Sequence, residues 1–309
     1  MSGQHAFGSA PGAIMAPEAV LLPDGEVFGR RALRLRELAE AVEPLADFLA
    51  FMAQLAQVQQ QLLERAPLWR PAPGAFDLAL EHGMPPLGVR ALRGNVAWQP
   101  ELFVLLDALE LHVGQRQRRL LATLREQTPA QLEALADDVF EGRSGADEQR
   151  ALLPLVAAAL QLVWVRLAAN LPRPPRRAEP ESRGLCPCCG SPPVAGVIHG
   201  ESRRSGVRYL HCALCACEWH LERVTCSLCG AGGKMLYLEL DDAQGRPVLP
   251  VRAEACGECH GYLKLVQRDL HGRAEPVADD LASLALDLLL AEQGEYLRGG
   301  CNLLLVSGE

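Results

Sequence analysis

Eight cysteines in the second half of the chain share one spacing. They are Cys186/Cys189, Cys212/Cys215, Cys226/Cys229 and Cys256/Cys259, four Cys-x-x-Cys pairs. One such pair presents two thiolates from a single tight turn. A tetrahedral ion needs four, so two pairs complete a site and the eight residues are candidate ligands for two metal ions. Gly190 and Gly230 directly follow two of the pairs. Glycine there lets the backbone turn back so that N–H groups meet the sulfurs and stabilise their charge. A disulfide framework is the competing use of paired cysteines, but it belongs to oxidising compartments. The first 25 residues hold no Lys or Arg, so the basic start of a secretory signal is missing. The longest apolar stretch, Ala151 to Val165, contains Pro154 and Gln161 and is shorter than the ~20 residues needed to span a bilayer. The expectation is a cytoplasmic protein without membrane insertion.

The segments between the pairs suggest which pairs cooperate. Between Cys189 and Cys212 lie 22 residues, with strand-like Val194–Ile198 and Val207–Leu210 flanking Gly-Glu-Ser-Arg-Arg-Ser-Gly. Between Cys229 and Cys256 lie 26 residues, with Lys234–Leu240 and Pro247–Glu254 flanking Asp-Asp-Ala-Gln-Gly-Arg. Each reads as a hairpin that returns one pair to the next. Sequential sites follow: the first two pairs on one ion, the last two on another. An interleaved cross-brace is the alternative that spacing leaves.

Spacing does not separate zinc from iron, since both accept four thiolates. Four protein ligands leave no open position, so the ion is expected to contribute folding energy rather than hydrolysis. Cys188, Cys217 and Cys301 stand outside the pattern. The first two read as small residues in tight turns, with alternative ligation or exposed thiols as the other uses. His211, His220 and His260 lie beside the pairs and are expected to support the ligands or sit at the surface. Trp219, Tyr209 and Tyr262 read as packing aromatics. No Walker loop, dinucleotide fingerprint or nucleophile elbow is present, so the chain is expected not to be an enzyme. The paired acids Asp137-Asp138 and Asp279-Asp280 read as helix-end charges, acids being favoured in a first turn.

The elements that must hold these residues divide at 171–184, a stretch with four prolines and many charges that reads as a stiff linker. Before it, residues 1–27 are rich in Gly, Pro and Ala and read as a flexible tail, and 28–170 as an all-helical domain. Leu45, Phe48, Leu49, Met52, Leu55, Ala56, Gln59 and Leu62 mark one helical face, with Pro44 at its start. Residues 67–100 read as a long connection with one short helix at most, and Glu101–Glu126 as a helix. Thr128-Pro129-Ala130-Gln131 starts another by a capping box, ended at Gly142. Asp147–Asn170 is a long apolar helix. Arg30-Arg31 and Arg173–Arg177 read as solvated basic runs. After the linker come two tandem rubredoxin-like or zinc-ribbon-like four-cysteine modules, 185–224 and 225–272, then a C-terminal helix and tail, 273–309, built on amphipathic Asp279–Glu292. The fold class is thus multidomain: all-α, then small metal-ribbon β.

Several motifs together resemble a known family. They are Cys186-Pro-Cys-Cys-Gly-Ser-Pro-Pro193, Gly206-Val-Arg-Tyr-Leu-His-Cys-Ala-Leu-Cys215 with Glu218, Trp219 and Arg223, Cys226-Ser-Leu-Cys-Gly230, and Arg252-Ala-Glu-Ala-Cys-Gly-Glu-Cys-His-Gly-Tyr-Leu-Lys264. With Asp279-Asp-Leu-Ala-Ser-Leu-Ala-Leu-Asp287, residues 185–292 resemble the formate dehydrogenase accessory protein FdhE family. The helical region matches it only in length and character. The resemblance implies a cytoplasmic chaperone-like maturation factor with two rubredoxin-like, iron-binding four-cysteine sites. It also implies contact with the catalytic subunit of respiratory formate dehydrogenase.

Two other functions compete: a zinc-ribbon nucleic-acid binder and a stand-alone rubredoxin-type electron carrier. The formal net charge of −8 opposes the first, because nucleic-acid binders present a basic face, and a lone carrier leaves the helical region without a role. Titration with duplex DNA and with RNA at low salt, where phosphate contacts are strongest, is expected to show no binding.

Overall fold

The computed structural model describes residues 16–143, 147–176, 182–201 and 204–305. The helical part begins with α1 (Val27–Ala41), a 3-10 turn at Glu43–Leu45 that carries Pro44, and α2 (Ala46–Leu63). The face expected on α2 is the one it buries: Leu49, Met52, Leu55, Ala56, Gln59 and Leu62 are all inside. The connection that follows holds two short helices, α3 (Asp77–Glu81) and α4 (Val89–Leu92). The stretch expected as one helix from Glu101 to Glu126 is two, α5 (Gln99–Glu110) and α6 (Gln115–Arg125). Gly114, extended at ψ 179°, makes the break.

Helix α7 (Pro129–Glu141) starts with the expected capping box between Thr128 and Gln131 and ends at left-handed Gly142. Next come α8 (Asp147–Arg150) and α9 (Leu153–Ala169). They are separate because Pro154 suits a first helical turn and not an interior. Helix α9 is buried on nearly every side, as a central helix packed all round must be. Among the described residues, no helix is long and apolar enough to cross a membrane.

The sheet takes one short strand from before the helices and the rest from after them. They are β1 (Val20–Leu21), β2 (Pro193–Ile198), β3 (Arg208–Cys212), β4 (Glu218–His220), β5 (Met235–Asp241), β6 (Pro247–Cys256), β7 (Gly261–Gln267) and β8 (Leu297–Arg298). The order is β1-β4-β3-β2-β7-β6-β5, with β8 beside β7. Both expected hairpins form: β2 with β3, and β5 with β6. Their joining is what spacing could not show. Strand β2 of the first module runs parallel to β7 of the second, Gly196 opposite Leu265 and Ile198 opposite Gln267. The two modules, tandem along the chain, are thus one continuous sheet. Arg208 on β3 reinforces the seam: it pairs with buried Glu254 on β6 and donates to the Thr225 carbonyl at 2.7 Å. Within the stretch read as a tail, Val20 pairs with Trp219; residues 1–15 of it lie outside the described residues.

The C-terminal helix is two pieces, α10 (Pro276–Ala282) and α11 (Leu284–Gln293). Asp279 does stand in the first turn of α10, where it accepts from the Glu275 N–H at 2.7 Å, but both acids are fully buried and also meet partners far away in sequence. Asp279 takes a forked bond from Arg34 on α1, at 2.7 and 3.0 Å. Asp280 faces the sheet, where Arg298 at 2.6 Å, Asn302 at 2.8 Å and Lys264 at 3.3 Å meet it. Burial acts to raise Asp280, but Lys264 and Arg298 hold it below the ordinary carboxylate range. Arg31, read as part of a solvated run, is buried and bonds Glu275 at 3.1 Å; its neighbour Arg30 does face solvent.

Replacing Arg34 with Met is expected to cost about 3–5 kcal/mol, because it strands the Asp279 carboxylate in the interior. Breaking the exposed Arg246–Asp242 pair with Arg246→Ala is expected to cost roughly 0–1 kcal/mol. Urea unfolding of the two variants against the parent measures both.

Candidate metal centres

Three of the four Cys-x-x-Cys turns are closed by the same short-range bond, and the Cys212 turn by its own N–H donating to the Cys217 carbonyl at 2.9 Å. The Gly190 N–H donates to the Cys186 carbonyl at 2.8 Å, Gly230 to Cys226 at 3.0 Å, and His260 to Cys256 at 3.0 Å. The residue after the second cysteine takes a positive φ in all four turns: Gly190 79°, Ala216 57°, Gly230 75° and His260 55°. Glycine at two of these positions was legible from sequence. Ala216 and His260 were not, because neither residue type advertises a left-handed backbone. Superposing the four pairs on one another would have exposed the shared position. The turns aim N–H groups at sulfur: Leu214 and Cys215 at Cys212, Leu228 at Cys226, and Glu258 at Cys256, all at 3.4 Å.

The turns then meet two by two, as the sequential reading expected. Cys186, Cys189, Cys212 and Cys215 form one group, and Cys226, Cys229, Cys256 and Cys259 the other, with ligand atoms within 4.8 Å of one another in each. Cys186 and Cys215 sulfurs lie 3.5 Å apart, and Cys189 and Cys212 3.4 Å. In the second group Cys226–Cys259 and Cys229–Cys256 are both 3.8 Å. A tetrahedron of thiolates about 2.3 Å from an ion has edges of roughly 3.8 Å. Both groups therefore fit an ion with four sulfur ligands.

The first group sits where the helices meet the sheet. The connection 67–100 reaches it: Leu87 N–H donates to the Cys188 carbonyl at 2.8 Å and Val89 N–H to that of Cys189 at 3.2 Å. Trp164 on α9 holds the Leu87 carbonyl at 2.9 Å, and Gln161 holds that of Ala213 at 2.8 Å. Cys188 and Cys217 are buried beside this group rather than exposed. Burial pushes the Cys217 and Cys301 thiols up.

Among the described residues no histidine joins either group. His211 instead bonds Glu218 at 3.0 Å, and His199 takes the other carboxylate oxygen at 2.6 Å. Burial opposes the charge on Glu218, but the two imidazoles bring it well below the ordinary range. Trp219 donates to the Arg183 carbonyl, Tyr209 to that of Glu18, and Tyr262 to Asp287, so all three serve the packing.

A helical body closed on a sheet that gathers two four-cysteine groups defines a two-centre metal-binding protein. Family models carry the assignment further. FdhE N-terminal matches residues 17–181, the FdhE central domain 185–223, and the FdhE C-terminal domain 224–305. The chain is 41% identical over 304 residues to a "Protein FdhE homolog" of Pseudomonas aeruginosa, covering 96% of this chain and 97% of that one. It is 37% identical over 284 residues to "Protein FdhE" of Escherichia coli O139:H28, covering 92% and 89%. A crystal structure of the FdhE protein from Pseudomonas aeruginosa superposes with a TM-score of 0.82 at 39% identity, over 94% of this chain and all of that one. The chain belongs to the formate dehydrogenase accessory protein FdhE family.

The shared left-handed position has a measurable consequence. A Cβ at Gly190 would meet nothing within 4 Å, so only the backbone resists substitution there. Gly190→Val is expected to destabilise the metal-loaded protein by about 1–2 kcal/mol, and Ala216→Gly to stabilise it by up to ~1 kcal/mol. Thermal unfolding of the loaded proteins reads both signs.

Proposed function

We propose that this chain is a cytoplasmic accessory factor for the maturation of respiratory formate dehydrogenase, that it engages the catalytic subunit of that enzyme, and that each four-cysteine group holds one ion through its four thiolates. The observation that carries the reading is the pair of closed four-sulfur groups in a chain of the FdhE family. Four thiolates fill a tetrahedral ion completely, which favours a structural or electron-passing ion over one that activates water. Iron is the ion this reading assigns to both groups, with zinc, which accepts the same four thiolates, as the alternative. A reducing compartment suits eight thiols that must stay unoxidised to bind metal.

The test has two arms. The purified chain, used as bait in extract of cells expressing respiratory formate dehydrogenase, is expected to enrich its catalytic subunit over an unrelated bait; equal recovery from both sinks the partner assignment. Elemental analysis is expected to find two ions per chain, and Cys189→Ser and Cys229→Ser each to lose about one. Visible absorption in the freshly isolated protein distinguishes ferric thiolate from colourless zinc.

A further inference from the structure

The two groups share a ligand set but not an environment. All four cysteines of the first are buried, as are the flanking Cys188 and Cys217. They belong to the principal hydrophobic core together with residues of α2, α5, α7 and α9. Leu87, Val89 and Gln161 close over its turns from the helical side. In the second group Cys226 and Cys256 are buried, whereas Cys229 and Cys259 are exposed. That group lies outside the principal core.

The backbone distributes its N–H groups accordingly. Buried Cys226 accepts from the Leu228 N–H and buried Cys256 from the Glu258 N–H, both at 3.4 Å. Hydrogen bonds from N–H groups disperse thiolate charge and fix the sulfur in place, so these inner sulfurs are anchored. The outer pair faces solvent. A four-coordinate ion changes ligands by admitting an incoming donor before the old one leaves, and such a donor needs an open approach. Cys229 and Cys259 offer that approach, and the first group offers none without opening the core.

We propose that the second centre, and not the first, is a ligand-exchange site at which the sulfur of an external cysteine thiol displaces Cys229 or Cys259. The incoming thiol releases its proton and its sulfur bonds the ion. The bond from the ion to Cys229 or Cys259 breaks, and the freed sulfur takes up a proton. No electrons change hands, and the ion keeps its charge. The proposal rests on the reading that each group holds one ion.

The experiment uses the full chain loaded with zinc, its content counted by elemental analysis before a chromogenic zinc chelator is added. One equivalent is expected to leave about tenfold or more faster than the other, because opening the core requires the chain to unfold and an exposed edge does not. The slow equivalent is expected to leave at the rate of global unfolding followed by circular dichroism. Cys229→Ser and, independently, Cys259→Ser should abolish the fast phase and keep the slow one. Free cysteine or a short cysteine-bearing peptide should accelerate the fast phase alone. A greater effect of the peptide assigns the site to a polypeptide partner, and an equal effect assigns it to small thiols. Release of both equivalents at one rate, loss of the slow phase in both serine variants, or acceleration by neither thiol overturns the proposal. Fewer than two ions before the chelator is added overturns the two-ion reading and the exchange site together, and the elemental count tells that failure from the others.

Discussion

Two adjacent aspartates cannot point the same way on a helix, and the fold is assembled around that fact. Successive α-helical side chains diverge by about 100°, so Asp279 and Asp280 reach different neighbours of α10. One meets Arg34 of the first helix, and the other meets Lys264, Arg298 and Asn302 of the sheet and its C-terminal border. Both carboxylates are fully buried, and a buried charge without a partner costs several kcal/mol. The helical part and the sheet must therefore sit where both acids are matched at once. Arg31 with Glu275 adds a third match at the same seam. With that seam fixed, the 67–100 connection can bring Leu87 and Val89 onto the first cysteine turn, and Gln161 can bond the second.

Much of the site was legible because its chemistry is local. A Cys-x-x-Cys pair declares itself within four residues, and the hairpins between pairs declare which turns meet. The capping box at Thr128 and the buried face of α2 were legible for the same reason: each signal spans one element. What escaped the sequence depends on contacts between distant segments. Arg31 read as solvated because nothing near it in sequence reveals Glu275. Asp279-Asp280 read as helix-end charges because that explanation is available locally, whereas Arg34 lies 245 positions away. The long connection gave no hint of its role, since it holds the cysteine turn through backbone N–H groups that every residue type possesses. Strand β1, two residues long, carries too little alternation to register.

The modules read as tandem units are tandem in sequence, yet the parallel register of β2 with β7 makes them one sheet. Each centre has its own two turns and four sulfurs, but the strands that present them share hydrogen bonds, and Arg208 ties one module to the other through Glu254 and Thr225. The two centres share no ligand, only the sheet that presents them. The core adds a further inequality. It absorbs the first group and leaves the second at its margin, so identical ligand sets acquire different surroundings.

The distance between Arg34 and Asp279 also sets a timetable for a chain made from its N-terminus. At synthesis rates of ~5–20 residues per second, the 245 positions that separate them correspond to roughly 12–50 s on the ribosome. Throughout that interval α2 can already pack on α1, but the side of α1 that meets α10 waits without its cover. That face carries Arg31 and Arg34 among its apolar residues, so the nascent helix offers water two guanidinium groups where an all-apolar face would offer neighbouring chains a sticky surface. The Arg34–Asp279 pair that closes the helices on the sheet therefore forms only once synthesis has passed Asp279.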